Sequence, residues 1–356
     1  MPLLLQKLSN NMNQAAHQTR TLVIGAGSWG TALAAAACFN SDTLLWCRHL
    51  EQAQTIQTQH RNPRYLSDYS LPPQLQATAS VEEALAHLQQ APESSLIILG
   101  IPVVAMRESC AFWFKRLSEN GLQHVPIVWT CKGFEQATGK LPHELIEEVS
   151  PFPNSGVLSG PSFAKEVVQQ LPVALTVAST STLTQQRVTD VLHNHFCRIY
   201  QSDDVTGVEV GGALKNIVAI ACGIADGLHL GNNARAALIT RGLAEITRLG
   251  LAMGGDARTF SGLTGLGDLV LTATGDLSRN RQVGLAIAAG KTVAEILASG
   301  MTAEGVRSAR DTLKRAQSLG VDMPITQAIC QVLFEQLSAR DAVQQLLNRE
   351  SKNECS

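Results

Sequence analysis

The sequence predicts an α/β domain followed by an all-helical domain. In the first half of the chain, short unbroken apolar segments alternate with helical stretches, which is the pattern of a parallel sheet covered by helices on both faces. From Glu209 onward, long helical segments joined by glycines replace this alternation. The 356 residues suffice for about two domains. We therefore predict a leader over residues 1–19, an α/β domain over 20–204, an all-α domain over 205–346 and a tail over 347–356.

The predicted elements follow from the spacing of apolar residues. The strands are expected at residues 22–24, 44–46, 96–99, 125–129, 156–158 and 173–177. Helical spacing in the first half is clearest at 31–38 and 81–89. In the second half, helices are expected at 209–227, 234–249, 281–289, 293–299, 307–319 and 325–336.

Composition narrows the classes of partner. The net charge of -2 and the 45% hydrophobic content describe an ordinary globular protein, with no sign of a nucleic acid or anionic membrane as partner.

The eight cysteines include no C-x-x-C pair, so we expect reduced, buried cysteines and no metal site. The only apolar stretch in the leader, 3–5, is too short for a signal peptide. No apolar run approaches the ~18 residues that cross a membrane. We expect a cytoplasmic protein without a membrane span.

A glycine motif follows the first predicted strand and opens a helix. Gly25 allows a tight turn, Gly27 lets the backbone approach a pyrophosphate, and Gly30 lets the helix pack on the strand. The free N–H groups of the new helix then face an anion. A plain glycine turn is the alternative, but the strand before and the helix after favour a dinucleotide site.

The second predicted strand ends in a basic pair, Arg48 and His49. A carboxylate at this place would hold a ribose 2′-hydroxyl, whereas an arginine can pair with a 2′-phosphate. The alternative is a solvated surface arginine. Position and chemistry together favour contact with the cofactor.

Two lone charges stand out in the helical half. Lys215 is surrounded by small and apolar residues, and burial would lower its pKa into the range useful for proton transfer. A lysine that reaches solvent from a core helix explains the same pattern equally well. Asp268 lies among glycines and aliphatic residues, so it needs a partner, for which Lys215 is the candidate. Asp268 as a helix N-cap is the alternative, and both roles are compatible.

Further polar residues lie at positions suited to an anionic substrate. Ser278, Arg279 and Asn280 stand at a predicted helix start, where they would form a phosphate cradle or an ordinary N-cap with surface arginines. Lys132 follows the fourth predicted strand, and the segment 160–162 follows the fifth. The carboxyl ends of parallel strands line a ligand crevice, although both segments also suit simple turns.

In chain order, these motifs resemble those of bacterial NAD(P)-dependent glycerol-3-phosphate dehydrogenases over about residues 21–345. The matching segments are 25–33, 131–135, 158–166, 212–216, 233–242, 265–269, 278–281 and 304–305. This chain departs from the usual family pattern at 101–103, at 66–68, at Thr302 and in the longer leader, and none of these departures touches the core catalytic positions.

The resemblance implies a Rossmann-type first domain, a helical second domain, and hydride transfer between glycerol 3-phosphate and dihydroxyacetone phosphate with NADPH/NADP or NADH/NAD. It implies that Lys215 is the proton acceptor. Besides the glycines, it implies cofactor contacts from Ser28, Trp29, Arg48, His49, Lys132, Ala164, Arg279, Thr302 and Glu304. It implies contacts with the small phosphorylated substrate from Lys132, Gly160, Ser162, Lys215, Asp268, Ser278, Arg279 and Asn280.

Other functions remain open from the residues alone. They are a 3-hydroxyacid or 6-phosphogluconate dehydrogenase of the same plan, a non-catalytic NADPH-binding regulator, and a structural interaction protein. The phosphate cradle and the match beyond Val205 argue against the related dehydrogenases. The lone buried charges argue against a regulator, and the glycine motif argues against a purely structural protein. A homodimer is left open.

Overall fold

The computed structural model describes residues 19–136, 138–149, 152–299 and 303–348. The chain divides into two compact units, the first reaching Cys131 and resuming over Pro142–Val205, the second comprising Lys132–Leu141 and the chain from Thr206 onward. The compact units differ from the predicted domain over 20–204 at residues 132–141, which lie in the second unit. That segment joins the second unit because Phe134 and Leu141 are buried in its core.

The first unit is built on strands that appear, in chain order, as β1 (Arg20–Ile24), β2 (Asp42–Trp46), β3 (Arg61–Asn62), β4 (Leu66–Ser70), β5 (Gln76–Thr78), β6 (Leu96–Leu99), β7 (Ile127–Trp129), β8 (Ser155–Ser159), β9 (Val173–Ala178) and β10 (Cys197–Ser202). Strands β3 and β4 form an antiparallel hairpin, and the others form one sheet in the order β10-β9-β8-β7-β6-β1-β2-β5. Neighbours in this sheet are parallel except for the antiparallel pair β8–β9. The predicted parallel sheet is confirmed except at that pair.

All six predicted strands are present, with their ends shifted by a few residues. The sequence did not predict the two edge strands, β5 and β10. In β10 buried residues alternate with exposed ones such as Arg198 and Tyr200, so this edge strand lacks the unbroken apolar run of the central strands.

Among the described residues of the first unit, the α-helices are α1 (Ser28–Ala37), α2 (Leu50–Gln59), α3 (Val81–Gln89), α4 (Met106–Glu119), α5 (Pro142–Val149), α6 (Ala164–Val168) and α7 (Thr182–Leu192). Helix α1 is rich in alanine and buried from Gly30 to its end. Small side chains allow this close packing, and alanine also has the highest helix propensity. The central strands β1 and β6 are almost wholly buried, as expected for a sheet covered on both faces.

From Thr206 onward the described part of the second unit is helical, whereas the described residues of 132–141 form turns and loop. Its helices are α8 (Val205–Gly227), α9 (Gly231–Ala252), α10 (Ala257–Ser261), α11 (Asp268–Thr274), α12 (Arg279–Ala288), α13 (Val293–Ala298), α14 (Glu304–Ser318), α15 (Pro324–Phe334) and α16 (Ala339–Leu347). The six predicted helices are confirmed, and a π-helical turn, Leu263–Gly267, precedes α11.

Helix α8 is the long apolar centre of the second unit. Within the described residues it alone has the length and composition of a membrane-crossing helix, with a mean hydropathy of 1.5 over 18 residues. That stretch is entirely buried inside the structure, so the core of the second unit accounts for its apolar character.

The seven described cysteines are buried and unpaired with one another. Burial raises the pKa of the Cys38, Cys47 and Cys222 thiols to about 12, so these groups stay protonated and unreactive. The eighth cysteine, Cys355, lies outside the described residues.

Candidate active site

A buried carboxylate shared by two lysines lies at the centre of the candidate site. Asp268 is 0% exposed. Its Oδ2 accepts a hydrogen bond of 2.6 Å from Lys132 Nζ, and its Oδ1 accepts one from Lys215 Nζ. Lys215 Nζ also donates to Thr272 Oγ1 at 2.9 Å, and Thr272 in turn donates to the Asp268 carbonyl at 2.7 Å. All four residues belong to the second unit.

The local fold explains these placements. Lys215 lies in the middle of α8 and is 6% exposed, and its ammonium group bonds inside the protein, so the solvent-reaching interpretation is wrong. Asp268 begins α11, and Gly267 is the N-cap, so the N-cap interpretation of Asp268 is also wrong. Thr272 follows one turn later on the same face of the helix.

The shared carboxylate gives the two lysines opposite protonation behaviour. Burial lowers the pKa of Lys215 to about 7, because the opposing attraction of Asp268 is partly offset by the positive charge of Lys132. Burial acts on Lys132 in the same direction, but the attraction of Asp268, with a contribution from Glu304, raises the pKa of Lys132 above its usual value. Lys132 therefore remains charged, while Lys215 can gain or lose a proton near neutral pH.

Asn216, which follows Lys215 directly in the chain, belongs to a network of polar side chains. Asn216 Nδ2 donates to Glu304 Oε2 at 3.3 Å, and Asn216 Oδ1 accepts from Asn280 Nδ2 at 2.8 Å. Asn280 Oδ1 accepts from the Gly305 amide at 3.0 Å. This network connects α8, α12 and the start of α14, and it places the predicted residues Asn280 and Glu304 together.

The predicted phosphate cradle is a helix start. Ser278 is the N-cap of α12, and its hydroxyl accepts from the Arg281 amide at 3.2 Å, so the capping interpretation of this serine is confirmed. Arg281 pairs with Asp226 at 2.8 Å and with Asp276 at 3.0 Å. Arg279, the first residue of α12, is exposed.

The glycine motif of the first unit has the geometry of a pyrophosphate cradle. Gly25 has φ +111°, and a Cβ there would lie 2.7 Å from the Gly100 carbonyl oxygen. A Cβ on Gly30 would lie 2.0 Å from the Gly25 carbonyl oxygen, whereas a Cβ on Gly27 would enter open space. Helix α1 begins at Ser28, directly after Gly27, so the open position adjoins a helix N-terminus. The residues therefore fit a bound dinucleotide.

Other predicted cofactor and substrate residues follow strands of the same sheet. Arg48 and His49 are exposed after β2, which pairs with β1 in parallel. Gly160 follows β8 with φ +140°, and its carbonyl oxygen accepts from Ser162 Oγ at 3.2 Å. Ala164 begins α6. The remaining predicted residues are Trp29, half-buried in the first turn of α1, and Thr302, which lies outside the described residues.

Two family models cover most of the chain. The model for the NAD-dependent glycerol-3-phosphate dehydrogenase N-terminus matches residues 21–185, and the model for the C-terminus of the same family matches residues 204–344. The chain belongs to the NAD-dependent glycerol-3-phosphate dehydrogenase family. The resemblance predicted from the motifs is therefore confirmed.

Individual relatives agree with this assignment. A Burkholderia lata protein named glycerol-3-phosphate dehydrogenase [NAD(P)+] is 53% identical over 337 residues, which is 94% of this chain and 100% of the relative. The crystal structure of glycerol-3-phosphate dehydrogenase from Coxiella burnetii has a TM-score of 0.83 and 38% identity, covering 93% of this chain and 99% of that one. The yeast glycerol-3-phosphate dehydrogenase structure, from Saccharomyces cerevisiae, has a TM-score of 0.77 and 26% identity, covering 92% and 99%.

Sequence reasoning missed two residues of the site, Thr272 and Asn216. Thr272 bonds to Lys215, and its spacing of four residues from Asp268 would have placed both on one helix face. Asn216 follows Lys215 directly and links Asn280 to Glu304. No local signal identifies that second contact, because it depends on helices that are distant in the sequence.

Proposed function

We propose that this chain interconverts sn-glycerol 3-phosphate and dihydroxyacetone phosphate with NADPH or NADH, and that Lys215 transfers the proton. The observation that carries the proposal is that Lys215 is buried and bonds to Asp268, and that burial lowers the pKa of this lysine to about 7. Membership of the family and the activity for which the Burkholderia relative is named support the same reaction.

In the oxidative direction, neutral Lys215 takes the proton of the substrate C2 hydroxyl. In the reductive direction, protonated Lys215 returns a proton to the ketone oxygen. The nicotinamide, when bound, supplies or accepts the hydride. Lys132 provides a permanent positive charge beside the developing alkoxide, and Asp268 holds both ammonium groups in place.

The substrate phosphate is assigned to the start of α12. Arg279 is exposed there, and the helix N-terminus carries partial positive charge. Binding at the phosphate, away from the reacting carbon, helps to align the C2 centre. Ser278 and Asn280 shape this helix start through the bonds described above, and their substrate contacts remain predictions.

We further infer a cytoplasmic location and a role in supplying glycerol 3-phosphate for phospholipid synthesis. These inferences rest on the family and on the small phosphorylated substrate. A homodimer is compatible with them.

The reaction is tested by following NADPH absorbance with and without dihydroxyacetone phosphate, over a pH series. Reduction requires protonated Lys215, so its rate should fall as the pH rises through about 7, and the oxidation rate should rise over the same range. Turnover with a 3-hydroxyacid or 6-phosphogluconate, but not with dihydroxyacetone phosphate, would contradict the proposal.

Arg279→Ala should weaken binding of dihydroxyacetone phosphate by about ten- to a hundred-fold, because it removes a charge-assisted contact worth ~1.5–3 kcal/mol. The affinity for unphosphorylated dihydroxyacetone should change little. The measurement is KM for both ketones, with the exposed Arg307→Ala as a matched control in the second unit. An equal loss for both ketones would place Arg279 on the cofactor or in the fold instead.

Arg48→Asp should move the cofactor preference from NADPH toward NADH. The exposed guanidinium at the end of β2 can pair with a 2′-phosphate, which an aspartate would repel and NADH lacks. The measurement is kcat/KM for both cofactors, with Arg198→Asp on the edge strand β10 as control. If the ratio of the two values does not move, Arg48 is a surface residue without a role in specificity.

A further inference from the structure

The peptide at the centre of the glycine motif is held by two side-chain amides. The Ala26 carbonyl oxygen accepts a hydrogen bond from Gln52 Nε2 at 2.8 Å and another from Asn62 Nδ2 at 3.0 Å. Gln52 lies in the first turn of α2, and Asn62 lies in the short hairpin strand β3. All three residues belong to the first unit.

The two amides also bond to each other. Asn62 is 0% exposed, and its Oδ1 accepts from Gln52 Nε2 at 3.1 Å. Its Nδ2 donates a second bond, of 2.8 Å, to Thr31 Oγ1 in α1. The Ala26 carbonyl is therefore fixed from α2 and from the hairpin, and the hairpin is itself fixed to α1.

Fixing this carbonyl also fixes the N–H of the next residue. A trans peptide is planar, so the Gly27 N–H points opposite to the Ala26 carbonyl. Gly27 has no Cβ, and a Cβ there would meet no atom within 4 Å, so its own sterics do little to hold that orientation. If the peptide rotated, a carbonyl oxygen with partial negative charge would replace the N–H on the side that is left open for an anion.

We propose that Gln52 and Asn62 are positioning residues that hold the Ala26–Gly27 peptide with its N–H available to the cofactor pyrophosphate. The proposal rests on the assignment of the glycine motif to cofactor binding. It predicts a defect shared by NADPH and NADH, because both contain the pyrophosphate. Ligands without a pyrophosphate should be unaffected.

The test compares Gln52→Met with Gln57→Met. Both glutamines lie in α2, and Gln57 also makes a side-chain bond to the backbone, accepting from the Ala77 amide at 2.7 Å. Ala77 is not part of the glycine motif, so Gln57→Met is the matched control. Dissociation constants are measured by fluorescence titration with NADPH, NADH and adenosine 2′-monophosphate, which lacks the pyrophosphate. Gln52→Met should bind both cofactors about five-fold more weakly, as expected for ~1 kcal/mol from one hydrogen bond. Its binding of adenosine 2′-monophosphate and its kcat at saturating cofactor should match the wild type, and Gln57→Met should change none of these values.

A second variant separates positioning from stability. Thr31→Val removes the other acceptor of Asn62 but leaves both bonds to the Ala26 carbonyl, so it should lower the Tm of the cofactor-free protein without changing cofactor affinity. Unchanged cofactor affinity in Gln52→Met would overturn the inference. It would also be overturned if adenosine 2′-monophosphate were weakened as much as NADPH, or if Thr31→Val weakened NADPH equally. Wild-type protein that binds neither cofactor would instead overturn the proposed function.

Discussion

Replacing Lys215 with Met should lower kcat by about 10²–10⁴-fold in both directions, the usual contribution of a positioned proton-transfer group. Methionine has a similar length and suits the apolar surroundings of α8, so the helix should still pack. Asp268 keeps Lys132 as its partner, so no carboxylate is left without a counter-charge. Because the cofactor motif lies in the other unit, NADPH binding should remain.

The measurement is kcat with dihydroxyacetone phosphate beside a fluorescence titration of NADPH. Lys291→Met, at an exposed position of the second unit, is the matched control and should behave as wild type. The residual activity of the Lys215 variant should also lose the pH dependence centred near 7. Near-normal turnover in the Lys215 variant would refute the assignment of this lysine as the proton-transfer group.

Asp268→Asn should be the most damaging isosteric change in the second unit. It leaves two buried ammonium groups facing one another without their shared anion. Breaking a buried ion pair by removing one partner typically costs ~3–5 kcal/mol. Lys215 can relieve this cost by releasing its proton, because burial and the charge of Lys132 then both lower its pKa unopposed by the carboxylate.

The consequence is measurable in two ways. The Tm should fall. The pH above which the reduction rate declines should also be lower than in the wild type, because Lys215 would stay protonated only at lower pH. The control is Asp276→Asn, whose side chain is 96% exposed and pairs with Arg281 at the surface. If the pH profile of Asp268→Asn matches that of the wild type, Asp268 has no part in setting the protonation of Lys215.

The central part of the fold could be predicted from local pattern alone. Strands such as β1 and β6 are buried on both faces and therefore appear as unbroken apolar runs. The edge strand β10 and the β3–β4 hairpin carry exposed polar residues and have no such run. Strand β10 pairs with β9, and β3 and β4 pair with each other, and apolar periodicity reveals neither pairing.

The candidate site, like the fold, has one part that could be predicted from the sequence and one that could not. Lys215 and Asp268 were identified because a lone charge in an apolar segment needs a partner. Their contact joins residues 53 positions apart, and the bond of Lys132 to the same carboxylate spans 136 positions. The sequence suggested the first contact but not the second, because Lys132 was predicted to lie in the α/β domain, after its fourth strand.

The assignment of 132–141 to the second unit has a consequence for how the chain can be divided. A fragment starting at Thr206 would lack Lys132 and would also lack Phe134 and Leu141, which are 1% and 0% exposed in the core of that unit. During synthesis, these ten residues leave the ribosome before β8, β9 and β10 do, yet their packing partners emerge last. The helical unit is therefore not a detachable module, and a truncated gene encoding it would need this earlier segment supplied as a separate peptide.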